Sequence, residues 1–311
     1  MNDRRSDYDV TNTVQVTDPV SVCLAIRRLY TGLYPDASVA PLKQACLDMT
    51  RLFQGEYPGY LACDTPYHDL QHSLDVSLAM ARLISGYENA QSPADRLGAS
   101  LAATGIITAM FHDAGYVRRR MDRIHASGAE YTHRHVSRSG RFLAAYLPRI
   151  GMQDMVPLAR KLVHFTGHEI SVPAIPLRDE KSRVLGNLLG TADLLAQMSD
   201  RCYLEKCRDR LYPEFVAAGL AGGYVSAEEL VYQTPHFFRH AHERLNHVLQ
   251  GMYRHAGSCF FPERNLYMEA LEANRSYLET VVEKRDMALL RRRPPSVPVC
   301  HISREMRRQA A

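Results

Sequence analysis

One period runs through almost the whole chain. Apolar residues return every three to four positions over 19–33, 39–56, 70–87, 96–112, 135–147, 154–168, 181–199, 202–218, 227–233, 237–255 and 264–290. No stretch sustains the alternation of a half-buried strand. A chain with this pattern can bury its apolar faces only by packing helix on helix, so the spacing predicts an all-α fold. Asp18 before Pro19, Ser92 before Pro93, and Asp179 read as helix starts, because a short oxygen-bearing side chain can satisfy the free N–H groups of a first turn. The breaks TGLYPDAS, GYENAQSPAD, VPAIP, GLAGGY and AGSCFFPE carry the glycines and prolines. With no internal repeat and no clear linker, residues 16–290 read as one compact multi-helix domain. Residues 1–15 read as a flexible start, and 291–311, RRRPPSVPVCHISREMRRQAA, as a flexible basic tail.

Composition narrows the function classes. The 311 residues are 46% hydrophobic, enough for a large core. The formal charge of +4 is too mild to point to nucleic acid. Only five of the 38 basic residues are lysine, so the positive charge is nearly all arginine, whose fork suits phosphate and carboxylate or reflects a compositional bias. Seven cysteines without paired spacing fit reduced thiols and a cytoplasmic location. The start MNDRRSDYDV does not read as a signal peptide, and the longest apolar run, LGASLAATGIITAMF, is too short for a membrane span. The sequence leaves the oligomeric state open.

Residues with metal and proton chemistry gather in a few places. In PYHDLQHSLDV, His68, His72 and Asp75 are spaced four and three apart, which on a helix gives one shared face. Taken alone, the histidines read better as capping or packing a helix start, and Asp75 could equally be a surface carboxylate. The apolar run 97–111 ends in FHDAGY, where adjacent His112 and Asp113 can both turn towards a point beyond a helix end. Asp193 falls in the middle of the apolar LLGTADLLAQM, where a carboxylate is costly unless it is paired or binds a metal. His133 and His135 follow in EYTHRH, and His164 and His168 in VHFTGH, the latter pair again four apart.

The order His72, His112–Asp113, Asp193 resembles the H…HD…D pattern of the HD superfamily of metal-dependent phosphohydrolases. PYHDLQHSLDV is similar to the opening motif of the class I cyclic-nucleotide phosphodiesterases, PYHNxxHAxDV, with Ser73 where the family has alanine. The tract YLEKCRDRLYPEFVAAG after Asp193 also resembles that family. The likeness covers roughly 60–250. It implies that His72, His112, Asp113 and Asp193 hold one divalent metal (zinc, manganese or iron), and that Asp113 bridges to a second, more hydrated ion (magnesium or manganese). Such ions activate water near neutral pH and relieve charge on phosphoryl oxygens. The resemblance makes His68 the general acid and gives Asp75 the task of orienting an imidazole through a hydrogen bond. His135, His164 and His168 are further candidate ligands.

Two departures stand out. The phosphodiesterases usually read HDxxH, but here the last position is Tyr116, which could still donate to a phosphate oxygen. Arg118, Arg119 or Arg120 could supply the missing charge. The family holds its base with a glutamine followed by a phenylalanine; Gln233 and Phe237, in VYQTPHFF, lie near that place with the spacing one residue off. The sequence thus predicts hydrolysis of a 3′,5′-cyclic nucleotide to the 5′-monophosphate. The alternatives are an HD-type nucleotidase or nucleoside triphosphohydrolase and, from a different class, a di-iron oxygenase or a non-catalytic metal-binding helical module on the same scaffold.

Overall fold

A computed structural model of the chain describes residues 4–259 and 264–295. The order is α1 (Pro19–Leu33), α2 (Ala40–Phe53), α3 (Leu70–Ala90), α4 (Ala99–Met110), α5 (His135–Tyr146), α6 (Val156–Leu162), α7 (Glu180–Ser199), α8 (Tyr203–Lys206), α9 (Tyr212–Ala217), α10 (Ala227–Glu243) and α11 (Leu266–Lys284). Among the described residues there is no sheet, only two isolated bridges, and no helix is long and apolar enough to cross a membrane.

The architecture is built around α3. Asp69 caps it by accepting from the His72 backbone N–H at 2.9 Å, and every residue from Leu70 to Glu88 except Asp75 is buried. A helix buried all round must be covered on every side; α1, α4, α7 and the 3-10 turn Met252–Cys259 do so. The α4 contact is close because Gly105 has no side chain: a Cβ there would lie 2.6 Å from Leu185 and 2.7 Å from Met80. The two helices that carry His72 and Asp193, α3 and α7, pack directly on each other, and α4 ends beside both.

Several local expectations change. Ser92–Pro93 does not open a helix; the Ser92 hydroxyl donates to Asp95 at 2.6 Å in a turn, and α4 begins only after Gly98, whose φ of 84° an L side chain rarely adopts. The helix expected over 202–218 is present from Tyr203 to Ala217, with one wide π turn at Cys207–Leu211 inside it. Conversely, α10 runs through Pro235, where the sequence predicts a break between 233 and 237. Ser226 caps it, and Leu230, Val231, Phe238 and Ala241 are buried on both sides of the proline, so packing outweighs the one backbone bond that proline removes.

The chain start is a larger correction. Residues 4–15 were expected to hang free, but they are tied to the helices. Asp9 and Val14 pair backbone to backbone at 2.9 Å, and Arg4 donates to the Ser199 carbonyl at 2.7 Å. Buried Asp9 forms an ion pair with buried Arg82 of α3. Near the other end, Arg292 donates to Asn274 at 3.0 Å and its backbone N–H to Glu205 at 3.1 Å. The rest of the expected tail, from 296 on, lies outside the described residues.

Candidate metal centre

His72 sits in the first turn of α3, and Asp193 in the middle of α7. His112 and Asp113 directly follow the end of α4. The four side chains converge. His72 Nε2 lies 3.2 Å from His112 Nε2, 3.3 Å from Asp113 Oδ2 and 3.4 Å from Asp193 Oδ1. His112 Nε2 lies 3.1 Å from Asp113 Oδ2 and 3.8 Å from Asp193 Oδ1. All four residues are buried.

These separations are those of ligands around a cation. With bonds of ~2.1 Å, adjacent ligands stand ~3.0 Å apart in an octahedron and ~3.4 Å in a tetrahedron. The tautomers agree. His112 Nδ1–H donates to the Ala109 carbonyl at 2.7 Å, so its Nε2 presents a lone pair to the cluster. Asp113 Oδ2 is buried with no hydrogen-bond donor, although it stands among these nitrogens. Lone pairs and carboxylate oxygens aimed at one point call for positive charge there. Without a cation the cluster would take a proton: burial pushes His72 down, but Asp113 and Asp193 outweigh it and lift its pKa to about 10. His72, His112 and Asp113 form a group that could hold a metal ion, and Asp193 closes a fourth side. A mixed imidazole and carboxylate set suits zinc, manganese or iron.

The cluster opens into a cavity of about 920 Å³, bounded by α7, α10 and the loops after α4 and α6. His68 lines it but is not in the cluster. Because Asp69 caps α3, His68 lies before the helix, so the helical-face argument for it fails. Glu214 holds it instead. The Glu214 carboxylate bonds His68 Nδ1, and its other oxygen accepts the backbone N–H groups of Tyr67 at 2.9 Å and His68 at 3.3 Å. Burial pushes the His68 imidazole down, yet the Glu214 and Asp113 carboxylates raise it above its ordinary value. The sequence reading missed Glu214. It lies in the quoted tract YLEKCRDRLYPEF, but a glutamate in a polar helix has no mark of burial, and its 147-residue separation from Tyr67 is invisible to local pattern.

The remaining candidates divide. Tyr116 is buried and stacks on two imidazoles, 4.6 Å from His68 and 4.4 Å from His135, while these two imidazoles are tilted by 33° to each other at 6.3 Å. His135 donates from Nδ1 to the Thr132 carbonyl at 2.6 Å, which turns its Nε2 towards Asp113 Oδ1 at 3.7 Å. Asp113 thus faces the cluster with Oδ2 and His135 with Oδ1. Gly115 makes this approach possible, since a Cβ there would lie 1.8 Å from the His135 carbonyl oxygen. Gln233 and Phe237 lie on one side of the continuous α10 and both line the cavity.

Four expectations fail. Among the described residues Asp75 has no hydrogen bond to an imidazole. It faces away from the cavity into a small pocket with Asp9, Asp200 and Arg4, where burial, countered by Lys206, raises its pKa well above the usual carboxylate range. The carboxylate three residues after His72 therefore does not share its face. Arg118 is bound to Asp64 at 2.7 Å and to the His125 carbonyl at 2.8 Å, outside the cavity wall; Arg120 donates to Gly55. His164 does not line the cavity. His168 does, but a 3-10 turn at Val163–Phe165 ends the helix between them, so the pair shares no helical face. A cation that does line the cavity, Arg244, was not singled out. No protein-family model matches the chain, and no curated protein is similar to it.

Proposed function

We propose that the protein is a metal-dependent phosphohydrolase that opens a 3′,5′-cyclic nucleotide to the 5′-monophosphate. The observation that carries this reading is His68, an imidazole outside the ligand cluster but in the same cavity, braced at Nδ1 by buried Glu214. A bound divalent cation would supply a nucleophile from water at neutral pH and offset phosphoryl charge. The chain's own residues do the rest. The Glu214 bond leaves His68 Nε2 as the ring atom available to the cavity. As oxygen from water joins phosphorus and the P–O3′ bond breaks, the electron pair stays on O3′ and His68 delivers a proton to it. The proton released by the attacking water restores His68. The Glu214 carboxylate favours the protonated form of His68, the form that an acid needs.

The cavity has room for a nucleotide, and Phe237 and Gln233 offer a ring and a carboxamide to its base. Asp113 Oδ1, with His135 Nε2 3.7 Å away, would be free to help hold a second ion. A nucleotidase would share the ligand set but gain less from an acid braced outside it. A di-iron oxygenase would need His135, His164 and His168 together, and His164 is outside the cavity wall. Incubating the metal-loaded protein with cyclic AMP, cyclic GMP and 5′-AMP tests the reading. Conversion of the cyclic substrates is expected. Release of phosphate from 5′-AMP with both cyclic nucleotides intact would favour the nucleotidase instead.

A further inference from the structure

Arg244 stands one residue past α10, half-buried, in the wall of the cavity that holds the metal cluster. Its NH2 group donates to the carbonyls of Phe165 at 2.7 Å and Gly167 at 3.2 Å, and NH1 lies 3.4 Å from His168 Nδ1. All these partners are neutral or weakly basic. Among the described residues Arg244 has no carboxylate within ion-pair distance; burial lowers its pKa, and Asp193 is the carboxylate whose field opposes this. An arginine stays charged regardless. The structure therefore holds a partly dehydrated cation in a fixed orientation, in the same cavity as the His72, Asp113 and Asp193 side chains, with no carboxylate paired to it among the described residues. No other wall residue supplies that charge. The acidic side chains lining the cavity are Asp113, Asp193 and Glu169. The first two face the metal cluster, and Glu169 accepts from the Ser137 backbone at 3.1 Å and 3.2 Å.

We propose that Arg244 binds a phosphoryl oxygen of the ligand, the part expected, from the sequence, of Arg118, Arg119 or Arg120. Both carbonyls hold one nitrogen, NH2, in place, and Nε–H and an NH1 hydrogen remain as charged donors for an anion. The inference rests on the proposed function only in taking the ligand to be a phosphate. The competing role is a purely structural one, in which Arg244 clamps the loop after α6 through Phe165 and Gly167.

The probe is inorganic phosphate, titrated calorimetrically into the metal-loaded protein. Arg244→Gln should weaken its Kd by roughly 10–100-fold, the range for losing a charge-assisted hydrogen bond, with metal content unchanged. Arg244→Lys should recover part of the loss. With a cyclic nucleotide, KM should rise more than kcat falls. Arg244→Gln binding phosphate like the wild type, or a wild type that binds none, overturns the proposal. Where the variants unfold, wild-type protein decides: phosphate should slow phenylglyoxal modification of Arg244, mapped by mass spectrometry, and absence of protection is equally fatal. Arg244-dependent phosphate binding by a protein inert towards cyclic nucleotides would sink the proposed function and leave this inference standing. Cyclic-nucleotide turnover with phosphate binding indifferent to Arg244 would do the reverse.

Discussion

The Nε2 atoms of His72 and His112 face each other at 3.2 Å inside the protein. Two imidazole nitrogens hold that position through an N–H···N hydrogen bond or around a shared cation, and the Asp113 and Asp193 oxygens beside them favour the cation. Each of His72→Ala, His112→Ala, Asp113→Ala and Asp193→Ala should lose bound metal and turnover. Chelation of the wild type should lower Tm. Saturating metal at 100 times Kd would stabilise by about 2.7 kcal/mol. Elemental analysis and a thermal melt check both; full metal content in Asp113→Ala would remove the assignment.

Glu214 should set the pH behaviour of His68. His68→Ala should retain metal and lose on the order of 100-fold or more in turnover, and much less on a nitrophenyl ester whose leaving group needs no proton. Glu214→Gln should move the alkaline limb of the rate profile to lower pH, because the carboxylate that raises His68 is gone. The linkage has a definite sign. The folded pKa of His68 lies above its unfolded value of 6.5, so its contribution to stability is complete below that value and is lost as pH rises through the folded pKa. The stability gap between wild type and Glu214→Gln should be widest in acid and narrow with rising pH. A gap independent of pH would contradict the pairing.

Arg118 serves as the contrast to Arg244. It is paired with Asp64 away from the cavity, so Arg118→Ala should leave turnover within about fivefold, the factor that ~1 kcal/mol of an outlying pair represents. A loss as large as that of Arg244→Gln would mean the wrong arginine had been assigned.

Base selection should be loose. Gln233 already spends its amide N–H on Glu229 at 3.1 Å and is exposed. Cyclic AMP and cyclic GMP should therefore be cleaved at rates within roughly a factor of 100, since one polar contact is worth about 1–3 kcal/mol. Competition kinetics with both nucleotides in one vessel measures this ratio directly.

The chain start should matter to stability. Asp9 and Arg82 have side chains only 3% and 6% exposed, and removing one partner of a buried pair leaves a charge behind. Asp9→Asn should cost about 3 kcal/mol, at the low end for such pairs because Arg82 also bonds the Tyr267 hydroxyl at 3.0 Å. Chemical denaturation of the variant should show a lower midpoint at unchanged slope. An unchanged midpoint would mean that residues 4–15 do not hold to α3 in solution.

The sequence by itself determined the helices and the ligand types. Apolar period is a local property, and so are the caps at Asp18 and Asp179, which the structure keeps at 3.1 Å and 2.8 Å from their backbone partners. Asp193 was legible because a carboxylate in an apolar run is itself a local anomaly, while His72, His112 and Asp113 were picked out as ligands through the resemblance of their order to the H…HD…D pattern. Only the tertiary structure decided the rest, because it depends on what stands opposite a residue. Asp75 and His72 belong to one helix, yet packing of α3 on α7 sends one to the charged pocket near Asp200 and the other to the cavity. Glu214 and Arg244 look like ordinary surface charges in the sequence. They gain their meaning from His68 and from the Phe165 and Gly167 carbonyls, which lie 146, 79 and 77 residues away along the chain.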